Sequence, residues 1–234
     1  MQVSDNRIAA QLIKKYGIGN LIDMARNLGA KGEFEEVPSI ALGTTDLAVI
    51  DMVGAYTPFM NKGIYSKPYY IDRIEDANGH VIYQSKRESR EVLGERTSQL
   101  MNLMMQNITT GNGTASRLRG QYGLKMEIAG KTGTTQSNSD GWFIGSTPSL
   151  LCAVWVGADD PSITFSSTSL GQGASSALPI WAKFVHKSYS NSSLKLNNRK
   201  SFMSESDSAY IKEFNCLDLI PASDSTIVDE QETD

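Results

Sequence analysis

Apolar residues recur at helical spacing from the start of the chain, where Ile8, Ala9, Leu12, Ile13 and Tyr16 form one stripe. Ser4, Asp5 and Asn6 ahead of it are N-cap residues, whose side chains accept from free backbone N–H groups, and Gly17 is suited to end the helix. A second short helix is expected over Leu21 to Leu28, stopped by Gly29. A third is expected to begin at Thr44-Thr45-Asp46, with Val49, Ile50, Val53 and Tyr56 on its face and Pro58 and Gly63 at its end. Residues 4–60 therefore read as helical. The pattern changes at 64–84, where Tyr69 to Ile74 and Val81 to Tyr83 flank Asn78-Gly79, a strong short-range hairpin signal.

Helical spacing returns at 97–110, with Met101, Met104, Met105 and Ile108 on one face. Methionine packs well into irregular gaps, so a core role is expected for this stripe rather than a ligand site. Three strands follow with short connections, at 126–135, 142–146 and 150–157, which favours an antiparallel meander. The last of them, Leu150 to Gly157, has no polar alternation and is expected to be central and buried. A closing helix at 174–189, starting near Pro179, is expected to pack on the sheet through Ile180, Trp181, Phe184 and Val185. Residues 190–234 are rich in Ser, Asn and acids and are expected to form a polar, disordered tail.

Composition narrows the function classes. The 234 residues are 40% hydrophobic and 21% charged, ordinary for a globular protein with a sizeable core. A net charge of −4 supplies no electrostatic footprint for nucleic acid. No apolar run approaches the length that spans a bilayer, and Met1 opens no signal peptide. Cys152 lies in an apolar run and Cys216 in the tail, which argues against a disulfide framework. His80 and His186 are far apart, and no Cys or His pair has ligand spacing, so no metal or other cofactor is expected.

The chemistry concentrates in Lys131-Thr132-Gly133-Thr134-Thr135, between the apolar Met126-Glu127-Ile128-Ala129-Gly130 and the run Gly141-Trp142-Phe143-Ile144. This reads as a strand edge that carries a cation, several hydroxyls and a glycine permitting close approach of a ligand. A nucleotide-binding loop around Gly130-Lys131-Thr132 would need glycine at 125, where Lys125 stands, and a helix opening at the lysine, which Gly133 opposes. K-T-G is one of three motifs of penicillin-binding proteins and class A β-lactamases, and the second, S-D-N, stands at Ser4-Asp5-Asn6. The third, S-x-x-K, occurs once, at Ser192-Ser193-Leu194-Lys195, in a polar run without an apolar face and on the wrong side of the K-T-G.

With these motifs, several ordered segments make the chain resemble the C-terminal part of the transpeptidase domain of a class A penicillin-binding protein, of the 1A type. They are Gln11-Leu12-Ile13, Met24-Ala25-Arg26, Pro38 to Thr44, Tyr56 to Tyr70, Arg73-Ile74-Glu75-Asp76, Gly111 to Ala115 and Val154-Trp155-Val156-Gly157. The resemblance implies an α+β sandwich of the penicillin-binding protein/β-lactamase-like type: helices, an antiparallel sheet and a closing helix, incomplete at the N-terminus. The domain would occupy 1–189. The nucleophile motif, glycosyltransferase domain and membrane anchor would precede Met1, so the chain is expected to be a fragment, inactive alone.

The resemblance also implies serine acyl transfer on D-Ala-D-Ala stem peptides of peptidoglycan, which β-lactams mimic. Ser4 would relay a proton and Asn6 would bond the substrate amide. Lys131 would set the positive potential. The hydroxyls of Thr132 and Thr134 would grip the terminal carboxylate, with Gly133 and Thr135 also lining the substrate. The backbone N–H of Thr134 would form half of an oxyanion hole. The implied partners are stem peptides and β-lactams, with a membrane reached only through the missing N-terminal part, at the extracytoplasmic face of a bacterial cell. Two alternatives stand beside this: a non-catalytic interaction module on the same fold, and a β-lactamase-like hydrolase. The Ala129 to Thr135 context and Pro38 to Thr44 look more like the synthetic enzymes.

Overall fold

A computed structural model of the chain describes residues 1–135, 138–160, 162–197 and 199–203. The Asp5 carboxylate accepts from the Arg7 backbone N–H at 2.8 Å and starts α1 (Asn6–Tyr16). Arg7 also pairs with that carboxylate and holds it below the usual carboxylate range. Gly17, at φ 87°, ends the helix by donating to Ile13 O at 2.8 Å. α2 (Ile18–Asn27) follows, and a 3-10 turn at Pro38–Leu42 lies against both helices. The apolar stripe of α1 is as expected, yet α1 has no buried residue: Ile8, Leu12 and Tyr16 are all exposed.

The third helix departs from expectation at both ends. α3 spans Val49–Met60, so Thr44-Thr45-Asp46 does not cap it, and Pro58 lies inside it. Proline has no N–H for the carbonyl four residues back. The Thr57 hydroxyl takes that place and donates to Gly54 O at 2.7 Å. Strands β1 (Ile64–Ser66) and β4 (Ser89–Glu91) pair outside the expected hairpin of β2 (Arg73–Glu75) and β3 (Val81–Gln84). Gly79 takes φ 83° at the hairpin tip.

α4 (Glu95–Gln106) buries Met105, but Met101 is only half-buried and Met104 points outward. Its inward face carries Ser98 and Asn102 instead, which donate to Pro58 O at 2.7 Å and Phe59 O at 3.4 Å. After the short α5 (Arg117–Gly120), the Arg119 guanidinium donates to Leu124 O and Met126 O and fixes the approach to the sheet.

The sheet is the expected meander of β5 (Ala129–Thr134), β6 (Asp140–Thr147) and β7 (Leu150–Gly157). Its central strand is β6, not β7, and β7 residues remain partly exposed. A run without polar alternation reports apolar faces, but it carries no information about whether the edge is paired. After α6 (Thr168–Gly171), α7 (Ala177–Ser190) covers one face of the sheet with Leu178, Trp181, Ala182 and Val185. Ile180 and Phe184, expected to pack there, form the opposite stripe and are half-exposed. The indole of Trp181 meets Phe143 edge-on at 5.2 Å and donates to Gly145 O at 3.1 Å. A Cβ on Gly145 would lie 2.8 Å from that indole, so the bare backbone lets α7 settle on β6.

Ser192–Leu194 is an exposed 3-10 turn. Beyond it, the Glu127 carboxylate accepts from Ser201 Oγ at 2.8 Å and Phe202 N at 2.9 Å. The compact unit therefore runs Met1–Phe202, past the expected boundary at 189. The rest of the expected tail, from residue 204 and including Cys216, lies outside the described residues.

Candidate active site

Strand alternation divides the K-T-G residues. Lys131 is paired with Ile144 and shares its face, whereas Thr132 is paired with Phe143 and shares the face covered by α7. Ser4 sits just before the N-cap of α1 in the left-handed region, at φ 57°. Its Oγ accepts a hydrogen bond from Lys131 Nζ, which also donates to Thr132 O at 2.7 Å. S-D-N and K-T-G, 127 residues apart in sequence, thus meet through this contact. Burial pushes the Lys131 ammonium below the ordinary lysine range, and among the described residues no carboxylate is paired with it. Asn6 stands at the exposed first position of α1.

The edge of β5 carries further polar groups. Thr135 N–H donates to Asp140 O across the β6 side, at 3.4 Å. Backbone groups alternate along a strand, so the N–H and C=O of Thr134 point to the open edge. The carbonyl of Thr132, two residues back, lies on that same edge and receives Lys131. The Thr134 hydroxyl accepts from Gly173 N–H at 3.1 Å, and among the described residues its own proton has no acceptor, so it can serve an anionic oxygen.

Two expected substrate contacts are engaged inside the protein. The Thr132 hydroxyl is buried and donates to Thr114 Oγ1 at 3.0 Å. The Thr135 hydroxyl accepts from Ser139 N and Asp140 N, each at 3.1 Å, and so closes the loop before β6. Gly133 has a packing role besides access: a Cβ there would stand 3.0 Å from Trp142 Cβ. Thr114 and Gly173 had no assigned role in the sequence reading. Their signals were the turn-forming Gly111-Asn112-Gly113 and the small-residue run Gly171 to Ser176, which mark a turn but not what it touches.

Residues 5–185 match the family described as "Penicillin binding protein transpeptidase domain". The chain belongs to the penicillin-binding protein transpeptidase family. Among curated relatives, it is 34% identical to penicillin-binding protein 2D of Bacillus subtilis over 79% of this chain and 26% of that protein. It is 33% identical to penicillin-binding protein 1A of Aquifex aeolicus over 82% of this chain and 26% of that one. The transpeptidase-family chain thus spans about a quarter of the length of these relatives.

Among solved structures, penicillin-binding protein 1A from Haemophilus influenzae superposes with a TM-score of 0.74 at 23% identity, covering 87% of this chain and 34% of that one. PonA1 of Mycobacterium tuberculosis in complex with penicillin V gives 0.62 at 27% identity, covering 76% and 52%. The penicillin-binding transpeptidase fold is therefore shown: helices, an antiparallel sheet and a closing helix.

The geometry makes Gly173 a sensitive position within this transpeptidase fold. A Cβ there would lie 2.2 Å from Trp142 O and 2.4 Å from Gly133 O, both backbone atoms. Gly173→Ala is expected to push the loop off β5 and cost about 1–3 kcal/mol, the range for overpacking. Urea unfolding measures it. A loss below about 0.5 kcal/mol would show that the loop shifts freely and that its grip on Thr134 is loose.

Proposed function

We propose that this chain forms the S-D-N and K-T-G side of a serine D-Ala-D-Ala transpeptidase site that crosslinks peptidoglycan stem peptides. The nucleophile would come from an S-x-x-K segment outside the 234 residues. The observation that carries the reading is the Lys131–Ser4 contact at the open edge of β5, beside the outward Thr134 N–H. The contact puts a partly buried cation against a hydroxyl, which places positive potential and a proton-relaying group side by side at the strand edge.

In this reading a stem peptide lies along β5. Its terminal carboxylate accepts a hydrogen bond from the Thr134 hydroxyl and lies in the potential of Lys131. The developing oxyanion is held by the Thr134 N–H. Ser4 passes a proton between the lysine of the S-x-x-K segment and the leaving amine, and Asn6 bonds the substrate amide. β-Lactams would occupy the same edge. Peptidoglycan lies outside the cell membrane, so the site in the assembled protein would be extracytoplasmic; among the described residues no helix is long and apolar enough to cross a membrane.

The S-x-x-K at Ser192–Lys195 does not supply the nucleophile. It lies past the far end of α7, whose 14 residues extend about 21 Å at 1.5 Å per residue. α7 starts beside Gly173, the partner of Thr134. The chain incubated alone with a fluorescent penicillin is therefore expected to show no covalent label on denaturing electrophoresis. The same chain fused to the S-x-x-K part of a relative's transpeptidase domain is expected to label. A band on the lone chain that survives Ser192→Ala would refute the divided site. A band lost in that variant would make Ser192 the nucleophile.

A further inference from the structure

We infer that Thr114 is a positioning residue that holds Ser4 of S-D-N in register with Lys131 of K-T-G. The inference rests on the transpeptidase reading for its catalytic meaning, but its geometry does not depend on that reading. Lys131 and Thr132 leave β5 on opposite faces, yet both reach groups tied to one loop. On one face Thr132 Oγ1 donates to Thr114 Oγ1 at 3.0 Å. On the other, Lys131 Nζ donates to Ser4 Oγ.

The N-terminal segment joins these two sides. Thr114 N–H donates to Gln2 O at 3.1 Å, and Gln2 Nε2 donates to Thr110 O at 2.9 Å. Ser4 follows Gln2 by two residues, and its own N–H turns back to Met1 O at 3.3 Å. The result is a clasp around the strand edge, running from Thr132 through Thr114 and Gln2 to Ser4 and Lys131.

The loop that presents Thr114 is itself fixed. Gly113 packs so closely that a Cβ would lie 2.2 Å from Ile108 O, and the Ala115 N–H donates to that carbonyl at 2.9 Å. Ile108 and Ala115 are fully buried in the core. Thr114 therefore refers Ser4 to the rigid core, since the exposed helix that follows Ser4 has no buried side chain to do so.

The test reads the Lys131 ammonium directly, by lysine-selective NMR of side-chain proton exchange in the full chain, with Lys131→Ala assigning the signal. In the wild type, Lys131 protons exchange more slowly than those of exposed Lys183 and Lys187. Thr114→Val keeps the shape and removes the hydroxyl; exchange is expected to rise about tenfold, the equivalent of one lost hydrogen bond. Thr114→Ser restores the slow rate to within about twofold.

Ser4→Ala raises exchange as Thr114→Val does, and combining the two adds nothing, because Thr114 acts through Ser4. Exchange in Thr114→Val within about twofold of wild type, or single effects that multiply in the double variant, overturns the assignment. If Thr114→Val loses its thermal transition, Thr132→Val removes the same hydroxyl contact from the strand side, and unchanged exchange there overturns it equally. Failure of the transpeptidase reading is seen elsewhere, as no penicillin label on the fused protein while Lys131 exchange still responds to Thr114.

Discussion

In the chain fused to the S-x-x-K part of a relative's transpeptidase domain, Lys131→Ala is expected to slow acylation by a chromogenic β-lactam about a hundredfold or more. One preorganised donor at a developing charge is worth about 3 kcal/mol. The same substitution is expected to leave thermal stability at pH 7 undiminished. Burial places the folded-state lysine below its ordinary value of 10.5, so the charged form carries a desolvation cost at neutral pH. That cost is present below the folded pKa and is relieved as pH rises through it toward 10.5, because the unfolded state binds more protons across that interval. Alanine removes the cost at every pH. Wild type is therefore expected to gain on Lys131→Ala as melts are moved from pH 7 into the alkaline range. Stopped-flow acylation slowed less than tenfold would take Lys131 out of the catalytic set. A stability difference that is flat with pH would deny its burial.

Trp181→Ala is expected to cost about 3–5 kcal/mol, the usual loss for deleting a large aromatic from a core. The indole is fully buried, packs edge-on against Phe143 and donates to Gly145 O and Cys152 O. Against a typical net stability of about 5–15 kcal/mol, this single change removes much of what holds α7 to the sheet. Urea unfolding with unchanged slope is the measurement. Phe184→Ala, one turn along α7 but half-exposed, is expected to cost about 1 kcal/mol or less. Equal losses for the two aromatics would mean that the inward stripe of α7 has been assigned to the wrong face.

Sequence alone determined the parts of this protein that depend on neighbours along the chain. The Asp5 cap, the Gly17 stop, the Asn78-Gly79 tip and the order of three strands and a closing helix all follow from local preferences. So do the two motifs, since a K-T-G strand and an S-D-N turn are recognised by composition and order. Alternation even set Lys131 and Thr132 on opposite faces once the strand was placed.

Tertiary structure decided whatever depends on a partner distant in sequence. Four apolar residues of α7 are expected to face the sheet, but packing puts Trp181 and Val185 there with Leu178 and Ala182 and leaves Ile180 and Phe184 half-exposed; the bare backbone at Gly145 helps admit the indole. Leu150 to Gly157 reads as central because it is apolar, while among the described residues only β6 pairs with it. The stripe of α4 that faces α3 includes Ser98 and Asn102, since Pro58 O and Phe59 O await donors there. The hydroxyls of Thr132, Thr134 and Thr135 look alike in sequence. Among the described residues, Thr132 is engaged by Thr114 and Thr135 by the backbone N–H groups of Ser139 and Asp140, while Thr134 accepts from Gly173 and donates to no protein group. A hydroxyl's role is fixed by whichever donor or acceptor reaches it first, and chain order does not encode that.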